Sequence, residues 1–423
     1  ADLAVQDIRY DKDDRMTPED LIASIDESAC LARLADMVQH QSYSETDGER
    51  ALAEHMHGIL EGLGLEAMLQ PVEGQRVNAI GTLKGTGGGQ SLLFNGHLDT
   101  NPVTTGWTVD PWGGVIDDEF IYGIGVSNMK AGDAAYLCAV ETILKAGLRP
   151  KGDVILSFVI GELQGGIGTV RMLEQGVRAD YFVNSEPTDI QAMTLHSGAF
   201  SYQIDLTGST RHVSKRAEAC DALAAAAALV PRINAMTFTG AETADHRAVN
   251  RAHVGVMRAG LGDEFHEWRP PQVADRARLL GTCRYAPSQS IETVLEDMRV
   301  VLRALELEFP GLQWSLDSYD QRKNKPQMPP FEVSRDSPIV KAVNAAYQTV
   351  RGVPQPTGPV APSCFFGTDA AHLAAAGMEG IVCGPGGEFN TMPDERVRKS
   401  QFLDCVKIYI LTIAEICGLE PAA

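Results

Sequence analysis

Phe94-Asn95-Gly96-His97-Leu98-Asp99-Thr100 follows the apolar run Ser91-Leu92-Leu93 and decides how the chain is read. Leu92 to Leu98 has the length and apolarity of a buried strand. It ends in a Gly, then a His and an Asp two residues apart. Side chains alternate along a strand, so His97 and Asp99 point the same way. A His beside a carboxylate at a strand end suits a metal ligand with its supporting group. It equally suits a general base with its orienting acid. A second apolar run, Val154 to Ile160, leads into Gly161-Glu162-Leu163-Gln164-Gly165-Gly166, a Gly-rich turn carrying one acid.

Around these runs the pattern is mixed. Thr17-Pro18-Glu19-Asp20 reads as a helix start, with helical spacing continuing through Leu21, Ile25, Leu31, Leu34 and Met37. A second amphipathic helix is expected from about Glu49 to Leu63, ended by Gly64. Leu65 to Leu69, Val77 to Leu83 and Leu92 to Leu98 read as successive strands, with the Gly-rich Lys84 to Gln90 as a hairpin loop. Trp107 to Gly125 reads as a loop, Ala131 to Ala146 as a long helix and Tyr181 to Asn184 as a short strand. Strands alternating with helices imply an α/β sheet covered on both faces. From about His196 the pattern changes. Ser201 to Leu206 alternates, as in a sheet with one solvated face. A strand-helix-strand-strand-helix-strand order then runs to Leu316, which is a compact α+β unit. After the Pro-rich Lys325 to Phe331, the α/β character returns through Ile381-Val382-Cys383 and a helix from about Lys399 to Cys417. The smaller domain (196–316) is therefore inserted into the larger one (1–195 and 317–423).

Bulk properties narrow the function. The 423 residues carry a net charge of −20, which disfavours nucleic acid and anionic membranes as partners. No apolar run approaches the roughly 20 residues of a membrane span. Ala1-Asp2-Leu3-Ala4 has no basic region followed by an apolar core, so a signal peptide is not expected. The eight Cys show no CxxC pair, and several sit in apolar runs such as Leu137-Cys138-Ala139. They read as reduced core thiols of a cytoplasmic protein.

The chemistry-bearing residues fall at strand ends and loops of the α/β part, where open sheets collect ligands. They are His97 and Asp99, Ser127-Asn128-Met129-Lys130, Glu162, Glu186-Pro187-Thr188, Thr368-Asp369 and Gly384-Pro385-Gly386-Gly387. In order and spacing this set resembles the family of acetylornithine deacetylase, succinyl-diaminopimelate desuccinylase, aminoacylase and glutamate carboxypeptidase, co-catalytic zinc hydrolases of amide bonds next to a carboxylate. The resemblance covers nearly the whole chain. It implies a zinc-exopeptidase-like scaffold with an inserted lid and dimerisation domain, hence a homodimer. It implies His97 and Glu186 as ligands of a first metal, Asp99 as the acid that orients His97, and Glu162 as general base. His212, in Gly208-Ser209-Thr210-Arg211-His212, matches the lid His that reaches toward substrate.

Three family positions are changed. The bridging Asp of the Ser-Asp-Met-Lys motif is Asn128. The second-metal carboxylate after the catalytic Glu is Leu163. The second-metal His, counted back from Pro393-Asp394-Glu395, is Thr391. A hydrocarbon cannot ligate a cation, and Thr and Asn are poor zinc ligands. The second site is expected to be empty, and the first to hold one zinc or other divalent cation, or none.

Plainer readings stand beside some of these. Gly384, Gly386 and Gly387 suit a cradle for a substrate carboxylate, and equally a tight turn. Arg284 is a candidate substrate contact or a sheet-surface Arg. His372 reads as a packing residue. Cys364 reads as a buried thiol, with a nucleophile the sharper alternative. Three functions remain open. One is an amide hydrolase on a small N-acyl amino acid or dipeptide-like carboxylate with at most one metal. Another is a metal-independent lyase, isomerase or hydrolase using His97, Asp99 and Glu162 for proton transfer. The last is a non-catalytic relative that binds a ligand or partner.

Overall fold

The computed structural model describes residues 16–267, 270–318 and 326–422. The N-terminal residues read for a targeting signal, and Lys325, lie outside them. The chain divides into two compact units, one of Ala1–Leu195, Glu332–Ser363 and Thr368–Ala423, the other of His196–Phe331 and Cys364–Gly367. The second unit thus begins where the pattern changes. It runs past the strand Gln313–Ser318 to Phe331 and takes in four residues from a later loop.

The first unit is built on an eight-stranded mixed sheet. Leu92–His97, buried along its whole length, lies parallel between Val154–Val159 and Tyr181–Pro187. Tyr181–Pro187 pairs in parallel with Glu379–Gly384. Strands buried on both faces lose the polar alternation, which is why these read as plain apolar runs. Lys84 to Gln90 is consequently not a hairpin loop. Arg76–Leu83 pairs antiparallel with Val154–Val159 instead of with Leu92–His97. A parallel strand needs a crossover, and local sequence carries no mark of which neighbour it will meet.

Helices Ala131–Lys145 and Lys399–Cys417 are buried almost all round. Phe94 packs 5.6 Å from Tyr136 and 5.0 Å from Tyr409, ring centre to ring centre. The first helical stretch is two helices. Thr17 and Asp20 form a capping box on Pro18–Ala23, worth about 1 kcal/mol. The chain then restarts at Asp26, whose side chain caps Glu27–Val38. Asp26 is a second N-cap signal inside one continuous apolar periodicity.

The second unit has a four-stranded antiparallel sheet, with Gly198–Thr207 and Arg276–Tyr285 paired residue for residue. Helices Ala222–Asn234 and Ile291–Glu308 share its separate core of Tyr202, Ile204, Leu229, Leu279, Met298 and Leu302. All eight Cys are buried and unbridged. Among the described residues no helix is long and apolar enough to cross a membrane.

Candidate active site and metal centre

Parallel strands end on the same sheet edge, and three site residues follow from that. His97 closes its strand opposite Val159. The strand bearing Val159 then turns at Gly161 into Glu162. Glu186 comes from the C-terminal half of Tyr181–Pro187. One donor atom from each of His97, Glu162 and Glu186 lies within 4.8 Å of the others. His97 and Glu186 are almost fully buried. His97 Nε2 is 3.5 Å from Glu186 Oε1 and 3.0 Å from Asn128 Oδ1.

Asp99 does something the sequence reading did not foresee. The nearest partner of His97 Nδ1 is the Asp99 backbone carbonyl, at 2.9 Å, while Oδ1 stands 3.5 Å away. The carboxylate faces the Glu162 turn. Its Oδ1 accepts the N–H groups of Gly161 (2.8 Å) and Glu162 (3.2 Å), and its Oδ2 accepts that of Leu163 (3.2 Å) and the Ser44 hydroxyl (3.2 Å). Asp99 therefore anchors the backbone that presents Glu162, and its orienting effect on His97 runs largely through its main chain. Gly161, with φ of 74°, supplies a left-handed turn here, and a Cβ would come 2.5 Å from Ile167 Cγ2. His372, read as a packing residue, braces the same turn through Nε2 at 2.8 Å from the Gly165 carbonyl.

Charge is concentrated where water is scarce. Burial, then the Glu186 charge, lifts the Glu162 carboxyl well above its usual range. Burial lifts Glu186 to about 7, against the opposing charge of His97. Burial works against a charged His97, yet the hydrogen bond to Asp99 and the charges of Glu186, Asp99 and Glu162 raise it well above the ordinary imidazole value. A His and two acids so displaced mark a functional site.

The three changed positions come together. Asn128, Leu163 and Thr391 line one recess with His97, Asp99 and Glu395. The sequence reading used Glu395 only as a landmark. Its Oε1 accepts the N–H groups of Ser127 (2.8 Å) and Asn128 (3.1 Å), and its Oε2 that of Gly125 (3.1 Å). Burial raises it to about 7 despite those bonds.

The two halves fit a cation differently. His97 and Glu186 offer one nitrogen and one carboxylate to a borderline divalent ion, with the Glu162 carboxylate within the same 4.8 Å as the base beside it. The recess offers an amide already bonded to His97, a hydrocarbon, a hydroxyl and a carboxylate committed to backbone amides. That set does not fit a second ion.

The other expected residues have the following surroundings. The Gly384 N–H lies 3.3 Å from Thr188 Oγ1, and that of Gly386 lies 2.8 Å from Gln401 Oε1. Two of the three cradle amides are thus engaged by the protein. A Cβ on Gly386 would sit 1.8 Å from Asp189 Oδ1, and one on Gly387 2.5 Å from Ser127 Oγ. The turn is thus close-packed around Gly386 and Gly387. In the second unit, His212 is exposed, its Nδ1 3.0 Å from Ser214 Oγ as it caps the turn Val213–Glu218. Arg284 donates through Nε to the Phe365 carbonyl (2.6 Å) and through Nη1 to Thr282 Oγ1 (2.7 Å), fastening the Cys364–Gly367 segment. The Cys364 thiol is buried, and burial raises it, which disfavours a nucleophile.

A buried His and acids at the carboxyl edge of a mixed sheet, in a chain that also carries a separately cored α+β unit, define a hydrolase centre of the metal-dependent amidase type. Residues 93–415 match the model of Peptidase family M20/M25/M40, and the chain belongs to that family. It is a hydrolase of the deacylase and peptidase kind. It is similar to an N-formyl-4-amino-5-aminomethyl-2-methylpyrimidine deformylase of Bacillus subtilis, 27% identical over 85% of this chain and 88% of that protein. It is also similar to a succinyl-diaminopimelate desuccinylase of Wolinella succinogenes, 26% identical over 84% of this chain and 91% of that protein. Among solved structures, the aminopeptidase PepT of Bacillus cereus superposes with a TM-score of 0.74 at 17% identity, over 93% of this chain and 99% of that one. A dinuclear metal binding M20 peptidase of Bacillus subtilis superposes with a TM-score of 0.63 at 17% identity, over 92% of this chain and 99% of that one.

Proposed function

We infer that the protein hydrolyses the amide bond of a small N-acyl compound with at most one divalent cation, held by His97 and Glu186 with Glu162 beside it. The observation that carries this is the asymmetry of the centre. One half gathers a His and two carboxylates, while the adjoining recess is lined by Asn128, Leu163 and Thr391. A bound cation would polarise the scissile carbonyl and make water more acidic. Glu162 takes the proton of the attacking water and returns it to the leaving nitrogen, so a base and an acid are needed in turn from one carboxyl. Burial and the Glu186 charge make that carboxyl hold a proton more tightly than an ordinary glutamate, which suits carrying the proton to the leaving nitrogen. Asp99 keeps the Glu162 backbone in place during both transfers. A small N-acyl substrate is favoured because two similar proteins across most of the chain act on an N-formyl aminopyrimidine, and because the Gly384–Gly387 turn offers few free amides to a carboxylate.

A second reading has its own support. Both ring nitrogens of His97 face oxygen atoms, and the surrounding acids favour its charged form. An imidazolium balances the glutamates without a metal, which suits proton transfer by His97 and Glu162 alone. Metal analysis of the purified protein, with turnover before and after chelation, separates the two. One equivalent of a divalent ion and chelator-sensitive turnover support the first. Turnover indifferent to chelator in metal-free protein supports the second, and two equivalents held by the buried centre would sink the asymmetry itself.

A further inference from the structure

A second group of metal-type ligands lies away from the active site. Asp36 is in the helix Glu27–Val38, His40 lies two residues beyond its end, and His55 is in the helix Asp47–Gly62. Donor atoms of the three lie within 4.8 Å of one another. We propose that Asp36, His40 and His55 form a peripheral binding site for a borderline divalent cation such as Zn²⁺, independent of the His97 cluster.

Three features support it. His40 Nδ1 donates to the Asp36 backbone carbonyl at 2.9 Å, which fixes the tautomer and leaves the Nε2 lone pair as the free donor. Ligating histidines are held in that way. The His40 and His55 rings stack at 4.4 Å with 29° between their planes, and a ring nitrogen of each lies within 4.8 Å of an Asp36 carboxylate oxygen. An ordinary ion pair with Asp36 needs only one of them. His55 Nε2 lies 2.6 Å from Asp36 Oδ2, and a proton bridges them. A cation replaces that proton once the two atoms part by somewhat under an ångström, since ligands about 2.0–2.1 Å from a tetrahedral zinc sit roughly 3.3 Å apart. The His55 and Asp36 side chains are 34% and 38% exposed, so water reaches the fourth position. Imidazole nitrogen with one carboxylate favours Zn²⁺ or Cu²⁺ over Mg²⁺ or Ca²⁺.

The place of the site suggests its use. The cation would tie the end of one helix to the middle of the next, across the segment between them. In that segment the Ser42 hydroxyl donates to the Leu98 carbonyl (2.6 Å), and the Ser44 hydroxyl to Asp99 Oδ2 (3.2 Å). The His40 carbonyl accepts the buried Lys130 ammonium at 3.0 Å. A cation at the surface would thus brace the backbone behind Asp99.

The test is calorimetric titration of chelator-treated full-length protein with zinc sulfate alone. Glu186→Gln first weakens the buried cluster. That variant is expected to keep one zinc equivalent. Adding His55→Ala should abolish that equivalent, and adding Asp36→Asn should weaken it at least tenfold. Melting curves guard against misfolding: without zinc the His55→Ala protein should melt as its parent does, and only the zinc-induced rise should vanish. Cobalt loading of Glu186→Gln should give the visible bands of four-coordinate Co²⁺, and His40→Ala should remove them. If Glu186→Gln binds no zinc, or binds it equally well with and without His55, the proposal is overturned. Neither result touches the hydrolase reading, which rests on the buried cluster.

Discussion

Asn128 stands between two regions built from the same sheet edge. On one side, His97, Glu162 and Glu186 keep a nitrogen and two carboxylates at ligand spacing. On the other, the recess has exchanged its ligand chemistry for Asn128, Leu163 and Thr391 while keeping the backbone frame. That frame persists because its supports are separate residues. Asp99 accepts the amides of the Glu162 turn, and Glu395 accepts those of Gly125, Ser127 and Asn128. Ligand identity is thus decoupled from loop geometry. A metal site can lose its donors without losing its shape, because the acids that hold the loops are not the acids that would hold the ion.

Glu162→Gln should have the largest effect, removing the proton-transfer group while keeping the shape. Turnover is expected to fall by about 10³-fold with an unchanged melting temperature, as steady-state kinetics beside calorimetry would record. Asp99→Asn tests the support. An amide has one acceptor oxygen for a carboxylate's two, so part of the turn is left unpaired. Turnover should fall by about 10- to 100-fold and stability by about 2 kcal/mol in denaturant titration. Substituting Asn128→Asp, Leu163→Glu and Thr391→His together returns donors to the recess. The metal content of the buried centre should rise by one equivalent, and an unchanged content would show that the frame has also been lost.

A further effect, seen in pH dependence alone, concerns Asp133 under the same edge. Burial raises its carboxyl to about 8, and its Oδ1 accepts the Tyr136 hydroxyl at 2.9 Å. The folded pKa lies above the unfolded value near 3.9, so folding takes up a proton between them. The stabilisation is complete below about pH 4 and is lost as pH rises through 8. The slope from this group is at most about 1.4 kcal/mol per pH unit. Asp133→Asn should flatten stability against pH in that window, read from urea midpoints.

Much of this was legible in residue order. His97, Glu162 and Glu186 each end a strongly apolar run or sit in a Gly-rich turn, and such positions signal themselves. The exchanges at 128, 163 and 391 were visible because each sits at a fixed count from a landmark. Glu395 and Asp133 gave no such sign, and Lys130 appeared only as the last member of the motif at 127–130. Their importance comes from burial, which pushes Lys130 down to about 7 and Glu395 and Asp133 up. Burial of a charged residue depends on partners tens or hundreds of positions away.

The sequence by itself determined the mixed α/β layering, the interruption near His196 and the Glu162 turn. These follow from local periodicity and turn chemistry, each readable within a few residues. Only the tertiary structure decided that Leu92–His97 lies between two parallel partners, that the Asp99 carboxylate serves the Glu162 turn, and that the amides of Gly384 and Gly386 are already bonded. It alone brought His55 against Asp36 and His40. The reason is physical: hydrogen-bond partners and burial are set where distant segments meet, and no local pattern records that meeting.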